Sequence, residues 1–399
     1  MRHPDEVAYD LERDEEYGWY TEKNGSGGRR WQIGPIPHVS WVEPNFADNV
    51  VLKPTPPELF INHGNDREMR WDAMYGRGYL VPNEMFYVRN HCATPVIDIS
   101  AWRLAVDGDA VTKPFALSYD ELLAMPSISL TRAMECAGNG RSFFEALVGK
   151  PIDGTQWRLG GIGVAEWTGV PLRAVLERAG VKKSARDVMP HGLDELKVNR
   201  PIPISKAMAD DTLLAYAMNG QILPADHGFP LRMVIPGWAG IANIKWVGRI
   251  EVSRRPLFSA WNTEKYILYG GDYEPQPPAK GPMITTLNVK SAIELPWNAS
   301  IPRAPTLLRG RSWSCFGKID RVDVSLDRGE TWQPARLREP NFPQAWVRWD
   351  IDWNPAPGKY AIRARAADDR GNVQPETIPL NEGGYLCGTM VDHSVTVTG

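Results

Sequence analysis

The chain has 399 residues, of which 43% are hydrophobic and 23% charged, enough apolar material for two or three domains with real cores. The formal net charge of −3 provides no overall basic field, so nucleic acid is not an expected partner, although a pocket can still be locally positive towards a small anion. No apolar run reaches the roughly 18 residues that a membrane-spanning helix needs, so no membrane interaction is expected.

Cysteine usage and the amino terminus indicate a reducing compartment. Cys92, Cys136, Cys315 and Cys387 lie far apart and form no CxxC pair, so zinc ribbons, c-type haem attachment and a disulfide framework are not predicted. Free thiols are therefore expected. The first residues are acidic and lack the apolar segment of a secretory signal. The sequence as it stands predicts a cytoplasmic protein, or a periplasmic one if a leader has been removed.

The first half of the chain predicts an arm followed by an α+β domain. Residues 1–45 are polar and rich in Gly and Pro, and we interpret them as an N-terminal arm. Within residues 46–280, Ser118 precedes YDELLAM with Glu121 three positions later, which is the spacing of a helix capping box. VPLRAVLERAG ends at Gly180, a suitable residue to follow a helix, and PISKAMAD is a third helix candidate.

Strand candidates in the same block are MFYVRN, WRLAVDG, ISLTRAME, LRMVIPG and KWVGRIEVS. Helices and strands intermix without the regular βαβ order of a doubly wound sheet. We therefore predict that residues 46–280 form an α+β domain with a mixed sheet.

The chain changes character after the stretch YEPQPPAKGP, residues 273–282, which is typical of a linker because Pro and Gly resist helices and strand pairing. About seven short strand-like runs follow in residues 281–399: LNVKSAIEL, TLLRGRSWSCFG, IDRVDVSLD, TWQPARL, AWVRWDID, GKYAIRARAAD and DHSVTVTG. Turn sequences such as Asp327-Arg328-Gly329 separate them. This pattern predicts an immunoglobulin-like β-sandwich.

The segment MECAGNGR, residues 134–141, places a cysteine at the end of a predicted strand and before a glycine-rich turn. Gly138 and Gly140 permit positive φ angles and close approach of a bulky group to the backbone. A thiolate at Cys136 beside Arg141 would have the lowered pKa of a nucleophile or a metal ligand. The alternative, a buried inert cysteine before a turn, stays open on this segment alone.

The segment MFYVRNHCATP, residues 85–95, leads an apolar strand into Arg89, Asn90 and His91. Their different hydrogen-bonding groups suit a polar cofactor or an anion. A solvated junction between strand and loop is the alternative.

Residues 218–252 contain His227, Arg232 and Lys245 in an otherwise apolar path rich in Gly and Pro. These side chains suit a phosphate clamp, whereas a turn histidine and a lysine that reaches for solvent are the alternatives. Tyr266 is a candidate hydrogen-bond donor or proton relay, or else a surface aromatic residue.

Together these segments resemble the sulfite oxidase family of molybdenum enzymes over about residues 55–399. CAGNGR is similar to the family's CAGNRR-like loop, whose cysteine ligates molybdenum, a role that falls on Cys136. LPADHGFPLR, FYVRNH and NIKW resemble further family motifs. The resemblance implies a Mo-molybdopterin cofactor held by Tyr87, Arg89, Asn90, His91, Asp194, His227, Arg232, Asn243, Ile244 and Lys245. It implies a catalytic and substrate pocket formed by Arg89, Arg141, Trp157 and Tyr266.

The activity implied by the resemblance is oxidation of sulfite to sulfate by oxygen-atom transfer, with a small anionic sulfur substrate and an external electron acceptor, either a cytochrome or oxygen. No HPGG or CxxCH segment is present, so no haem is expected in this chain. The C-terminal sandwich resembles the family's dimerisation domain, which implies a homodimer.

Two departures from the family pattern affect the substrate prediction. Lys265 stands where the family often has Asp, and Gly383 in NEGGYLCG falls at the place of an arginine that helps to bind sulfite. The lost positive charge leaves open a same-fold enzyme that acts on another sulfur compound, such as a sulfane or a sulfoxide. A non-catalytic pterin-binding protein is a further alternative, against which the retained Cys136 argues.

Overall fold

The structure, a computed structural model, describes residues 21–23, 29–31, 50–271 and 273–399. Strands β1 (Thr21–Lys23) and β2 (Arg29–Trp31) pair antiparallel. The rest of the predicted arm, residues 1–45, lies outside the described residues. Within the described ranges, no helix combines the length and the apolar character needed to cross a membrane.

Strands dominate the first domain, where they form three sheets among the described residues. The strands are β3 (Phe60–His63), β4 (Asp66–Met69), β5 (Val88–Arg89), β6 (Leu104–Asp107), β7 (Phe115–Leu117), β8 (Ile128–Glu135), β9 (Ile162–Pro171), β10 (Asp187–Gly192), β11 (Ile202–Pro203), β12 (Leu213–Met218), β13 (Gln221–Ile222), β14 (Arg232–Val234) and β15 (Val247–Ser253). Their orders are β3-β4-β5, β11-β10-β15-β6-β7, and β13-β12-β9-β8 with β14 beside β12. Strand β15 is parallel to β6 and antiparallel to β10, which confirms the predicted mixed sheet.

Helices in this domain are short: α1 (Tyr119–Leu123), α2 (Glu145–Val148), α3 (Leu172–Arg178), α4 (Ile204–Ala207) and α5 (Ala260–Thr263). The predicted capping box is confirmed, because Ser118 Oγ accepts from Glu121 N at 3.3 Å and Glu121 Oε2 accepts from Ser118 N at 2.8 Å. Gly180, shortly after α3, has a φ of 64°, as predicted for the residue that stops this helix.

One predicted strand is much shorter than its pattern suggested. In MFYVRN only Val88–Arg89 pairs, as β5. The amides of Met85 and Phe86 both donate to the carbonyl of Pro82, so this part of the segment forms a turn instead of a ladder. The segment ISLTRAME, by contrast, forms β8 over its full length and pairs throughout with β9.

The C-terminal domain is the predicted immunoglobulin-like sandwich. Its strands are β16 (Lys290–Ile293), β17 (Ala299–Pro302), β18 (Thr306–Trp313), β19 (Ile319–Ser325), β20 (Gln333–Pro334), β21 (Arg336–Arg338), β22 (Trp346–Trp353), β23 (Gly358–Asp368) and β24 (His393–Thr398). They form two sheets, β16-β18-β22-β21 and β17-β24-β23-β19-β20. Buried side chains from both sheets, including Leu308, Val324 and Ile362, form the core between them.

Two details of the sandwich differ from the predicted strands. The run TWQPARL divides into β20 and β21, which pair with different sheets, because Pro334 has no N–H to continue a ladder. Strand β17 was not predicted, since its sequence is short and ends in a proline. It lies at a sheet edge, parallel to β24.

The two domains share a buried aromatic core. Trp71 of the first domain stacks on Trp313 of the sandwich with ring centroids 5.8 Å apart, and Tyr79 donates from its hydroxyl to the carbonyl of Trp346 at 2.5 Å. Cys136 belongs to the same buried cluster. The predicted linker therefore joins domains that pack closely, and this packing places the sandwich next to the glycine-rich loop.

Candidate active site

An open cavity of about 710 Å³ gathers most of the predicted residues of the first domain. Its lining includes Tyr87, Arg89, Asn90, His91, Cys136, Asp194, His227, Arg232, Asn243, Ile244, Lys245 and Tyr266. The structure thus brings together segments that are far apart in sequence. A cavity that combines apolar walls with convergent charged groups is typical of a cofactor site.

Cys136 directly follows β8 and begins a tight turn. Its amide donates to the carbonyl of Gly161 at 2.9 Å, and its carbonyl accepts from the amide of Asn139 at 2.9 Å. The expectation of a lowered thiol pKa is wrong for this chain alone: burial raises the pKa of Cys136, and Arg89 and Arg141 offset only part of that effect. A bound metal ion would be needed to hold the sulfur as a thiolate.

Arg89 lies on β5, where it pairs in register with Asp66 of β4. Its Nη1 lies 3.3 Å from Asp66 Oδ1, and its Nη2 donates to Tyr266 Oη at 3.5 Å. Burial alone lowers the pKa of Arg89, but interactions with Tyr266, Asp66 and Cys136 raise it above its ordinary value. Arg89 therefore carries a permanent, oriented positive charge at the cavity wall.

His91 connects Arg89 to Tyr266. Arg89 Nη2 lies 3.0 Å from His91 Nδ1, and Tyr266 Oη lies 3.0 Å from His91 Nε2. Burial, followed by the charge of Arg89, lowers the pKa of His91 to about 2, so the imidazole is neutral. Because a guanidinium can only donate, Nδ1 must accept and the proton resides on Nε2. His91 Nε2–H therefore donates a hydrogen bond to Tyr266 Oη, which leaves the hydroxyl hydrogen of Tyr266 available for another acceptor.

Tyr266 itself has an unusual backbone. Its φ is 55°, in the left-handed region that residues other than glycine seldom adopt. The ring stacks on Tyr385 with centroids 5.4 Å apart. This strained, stacked arrangement holds the hydroxyl beside His91, a pattern that is common where a side chain must be placed for function.

A second group of cations lies around His227. Lys53 Nζ lies 3.1 Å from His227 Nε2, and Arg232 donates from Nη1 to the carbonyl of His227 at 2.8 Å. Lys245 donates to the carbonyl of Asp226 at 2.8 Å and to Asn90 Oδ1. Burial, followed by the positive charge of Arg232, lowers the pKa of Lys245 to about 7. Burial also lowers the pKa of Lys53 to about 7, against the opposing effect of Asp226.

This cationic group fits the phosphate of a molybdopterin. Arg232 Nε is buried and has no hydrogen-bond partner among the described residues. The carboxylate of Asp226 already accepts from the amides of Leu52 and Lys53 and from the hydroxyl of Thr94. A buried, unsatisfied donor on the Arg232 cation favours binding of an anion.

The side chains of Asn243 and Asp194 accept hydrogen bonds from nearby backbone amides. Asn243 Oδ1 accepts from the amide of Ile235 at 2.7 Å, and Asp194 Oδ1 accepts from the amide of Val198 at 2.8 Å. Both side chains thus hold the loops that line the cavity. Ile244 adds apolar surface to the same wall.

Arg141 and Trp157 do not line the cavity. Arg141 donates from Nε to the carbonyl of Gly383 at 3.1 Å and from Nη1 to the carbonyl of Thr155 at 2.9 Å. Trp157 is fully buried and packs edge-on against Tyr87 at 6.0 Å. Both residues lie just behind the cavity wall. Their contact with a substrate stays a prediction.

The segment around Gly383 comes to the same side of the site. Its carbonyl binds Arg141, and the nearby Tyr385 ring lies 5.1 Å from the Arg141 guanidinium carbon and stacks on Tyr266. The Tyr385 ring therefore occupies the space next to Gly383, the position at which the resemblance implies an arginine in the family. Lys265 is exposed and lies over the Trp261 ring at 5.0 Å.

Several residues of the site were not predicted from the sequence. Asp66, Lys53 and Tyr385 contact the predicted residues directly. The sequence around Asp66 and around Lys53 contains no pattern that distinguishes these two residues from ordinary charged residues on the surface. Tyr385 follows two glycines in NEGGYLCG, which was a weak indication of an aromatic side chain in a tight loop.

Comparison with known proteins agrees with this architecture. Residues 91–261 match the oxidoreductase molybdopterin binding domain, and residues 281–393 match the Mo-co oxidoreductase dimerisation domain. Mitochondrial sulfite oxidase of Homo sapiens is 37% identical over 319 residues, which cover 75% of this chain and 58% of that protein. Sulfite oxidase of Gallus gallus is 36% identical, with 75% of this chain and 69% of that protein covered.

Two further relatives differ in their names. The NADH nitrate reductase of Solanum lycopersicum is 32% identical over 87% of this chain and 41% of that protein. The crystal structure of the sulfane dehydrogenase SoxCD from Paracoccus pantotrophus superimposes with a TM-score of 0.73 at 28% identity, and covers 90% of this chain and 92% of that chain. The chain spans about 58% of the length of the mammalian sulfite oxidases that it matches.

The two matched domains, the sequence identity to sulfite oxidases and the shared fold are consistent with one another. The chain belongs to the sulfite oxidase family of molybdopterin-dependent oxidoreductases, with Mo-molybdopterin as its cofactor.

Proposed function

We propose that the chain oxidises sulfite to sulfate at a molybdenum centre whose protein ligand is Cys136. One observation carries the proposal. Cys136, Arg89 and Tyr266 line the same cavity as the residues suited to bind a phosphate, which are His227, Arg232 and Lys245. A non-catalytic pterin-binding protein would have no use for a thiol in that position. Molybdenum, when bound, supplies the two-electron oxidation and the oxygen-atom transfer.

In this proposal the cofactor is held by the residues that line the cavity. His227, Arg232 and Lys245 bind its phosphate, and Lys53 supports them from behind. Tyr87, Asn90, Asp194, Asn243 and Ile244 complete the walls. The buried Arg232 Nε that lacks a partner in the described part of the chain supports this assignment, because an anion would satisfy it.

The substrate is held by Arg89 and Tyr266. Arg89 binds the anion, since a guanidinium forms charge-assisted hydrogen bonds with oxyanions, and Asp66 fixes its orientation. Tyr266 donates its hydrogen to a substrate oxygen, because His91 already occupies the Tyr266 oxygen as a donor. Arg141 adds positive potential at Cys136 from behind the wall.

The proposal also includes an electron acceptor and a second copy of the chain. The proposed electron acceptor is external, a cytochrome or oxygen, as the family resemblance implies. The match of residues 281–393 to a dimerisation domain supports a homodimer that is formed through the sandwich.

A second candidate is oxidation of a sulfane-type substrate by the same centre. It is favoured by the aromatic pair of Tyr266 and Tyr385 beside Gly383, which offers apolar contact in place of a second anion-binding arginine. The similarity to the sulfane dehydrogenase along most of the chain supports it further. Steady-state assays with sulfite and with a thiol-bound sulfane distinguish the two candidates by their kcat/KM.

The test of the proposed centre is molybdenum analysis combined with a thiol substitution. The purified protein should contain molybdenum, and Cys136→Ser should stay folded, retain pterin and lose turnover. Cys92→Ser is the control for a second thiol, because Cys92 is not among the residues that line the cavity and its Sγ lies 3.6 Å from Asp194 Oδ2, a contact that serine can keep. Sulfite oxidation by Cys136→Ser at the rate of the unmodified enzyme would refute the ligand assignment.

A further inference from the structure

The residue before Cys136 is a buried carboxylate with three side-chain donors. Glu135 ends β8, and its side chain is 1% exposed. Oε1 accepts from Lys290 Nζ at 2.7 Å and from Asn139 Nδ2 at 2.9 Å, while Oε2 accepts from Trp313 Nε1 at 2.9 Å. A buried carboxylate is tolerated only when its charge and lone pairs are satisfied in this way.

Two of the three donors come from the sandwich domain. Lys290 lies on β16 and Trp313 at the end of β18, and the two residues are direct partners in the antiparallel register. The Lys290 side chain is 1% exposed and Trp313 is fully buried. The neighbouring strands of the sandwich thus present one cation and one indole N–H to a single carboxylate of the first domain.

Lys290 also binds the far side of the Cys136 turn. Its Nζ donates to the carbonyl of Asn139 at 2.9 Å, so one ammonium connects the residue before Cys136 to the residue three positions after it. The Asn139 side chain in turn accepts from the amide of Gly161 at 2.9 Å, and Asn139 N donates to the carbonyl of Cys136 at 2.9 Å. The turn that carries the sulfur is held on both sides.

The C-terminal segment completes the enclosure. The amide of Leu386 donates to the carbonyl of Ala137 at 3.1 Å. A Cβ added at Gly140 would lie 2.8 Å from the Cβ of Cys387, so the turn packs against this segment with no room for a side chain between them. The loop therefore has little freedom to move without moving the sandwich.

We propose that Lys290 and Trp313 of the sandwich are positioning residues for the metal-ligating sulfur: through Glu135 and Asn139 they hold the Cys136 loop in the geometry that binds molybdenum. The sandwich then serves the active site within its own chain, in addition to any part in dimerisation. The inference rests on the proposed role of Cys136 as metal ligand. Partners that orient a ligand are commonly worth a tenfold to hundredfold change in metal retention or activity.

The test compares two buried cations of the same sheet in the holoenzyme. Lys290→Met leaves Glu135 without its cation, and it should release molybdenum on dialysis about tenfold faster than the unmodified enzyme. It should also shift the g values of the Mo(V) electron paramagnetic resonance signal. Arg311→Met is the matched control: Arg311 pairs with Glu294 at 2.6 Å and donates to the carbonyl of Tyr79 at 3.0 Å, away from the Cys136 loop.

Arg311→Met should lower thermal stability and keep the molybdenum content and the Mo(V) signal of the unmodified enzyme. If both variants alter the signal equally, the effect is general destabilisation and the proposal is wrong. Trp313→Phe is the milder second variant, which removes one hydrogen bond to Glu135 and keeps an aromatic ring. Trp313→Phe provides the test if Lys290→Met does not fold. A Mo(V) signal and a metal retention equal to those of the unmodified enzyme in Trp313→Phe would overturn the proposal.

A third measurement separates this inference from the proposed function. In metal-free protein, the rate at which iodoacetamide labels Cys136 is read by peptide mass, and Lys290→Met should raise that rate severalfold over Arg311→Met. If the unmodified protein binds no molybdenum, the proposed function fails while the labelling still tests the loop. If the unmodified protein binds molybdenum, and the variants react with iodoacetamide and retain the metal at the same rates as the unmodified protein, only the positioning role fails.

Discussion

Tyr266 Oη lies 3.0 Å from Nε2 of His91, and the other ring nitrogen of His91 accepts from Arg89 at 3.0 Å. Because the pKa of His91 is lowered to about 2, first by burial and then by Arg89, the imidazole stays neutral with its proton on Nε2. The direction of this short chain of hydrogen bonds is fixed by the guanidinium, which cannot accept. Tyr266 is left with a hydrogen that points to a different acceptor.

Replacement of Tyr266 by phenylalanine tests that direction. Tyr266→Phe removes the donated hydrogen and should lower kcat/KM for sulfite by roughly 10-fold to 150-fold, which corresponds to the ~1.5–3 kcal/mol of one hydrogen bond to a charged group. Tyr360→Phe serves as a control, because its hydroxyl donates only to the carbonyl of Ala356 in the sandwich. Equal kcat/KM in the two variants would place Tyr266 outside the reaction.

Arg89 should account for most of the anion affinity. Arg89→Gln is expected to raise KM for sulfite and to weaken anion binding by about 1.5–3 kcal/mol, the value of one charge-assisted hydrogen bond. Asp66→Asn should have a smaller effect in the same direction, since it loosens the orientation of Arg89 and leaves the charge. Arg70→Gln, which removes a pair with Asp72 at 2.9 Å, is the control. An unchanged KM and kcat/KM in Arg89→Gln contradicts the substrate assignment.

Cofactor retention should depend on pH near neutrality. The pKa of Lys245 is lowered to about 7, mainly by burial and then by Arg232, so in the cofactor-free chain this lysine loses its proton as pH rises through about 7. A bound phosphate favours the protonated form, and binding therefore takes up a proton above that pH. Retention of molybdopterin should fall as pH rises from about 6 to 8, and Lys245→Met should reduce this dependence, with Lys53, whose pKa is also lowered to about 7, responsible for the remainder. Equilibrium dialysis at several pH values measures it; a profile that is flat in the unmodified protein rejects the phosphate assignment.

The sandwich should mediate a two-fold dimer, as its match to a dimerisation domain suggests. Sedimentation velocity at micromolar concentration should give the mass of two chains, twice the 44.7 kDa of one. A monomer under these conditions would count against the homodimer. The measurement is independent of metal content, so it separates the assembly from the chemistry.

Much of the local structure was predictable because it depends on neighbouring residues. The capping box at Ser118 and Glu121 follows from two hydrogen bonds within one helical turn. The strand ISLTRAME and the glycine turn after Cys136 are likewise set by short-range pattern. The resemblance of ordered motifs then predicted which distant segments meet, and the cavity contains nearly all of them.

The sequence therefore determined by itself the fold class of the two domains, the family and most of the predicted side chains that line the cavity. The tertiary structure alone decided how those side chains are charged and held: burial raised the pKa of Cys136 against its arginines, Asp66 was paired with Arg89, and Lys290 was brought to Glu135 across two domains. The physical reason is that desolvation and long-range pairing depend on which distant segments exclude water from one another. No local pattern of residues contains that information.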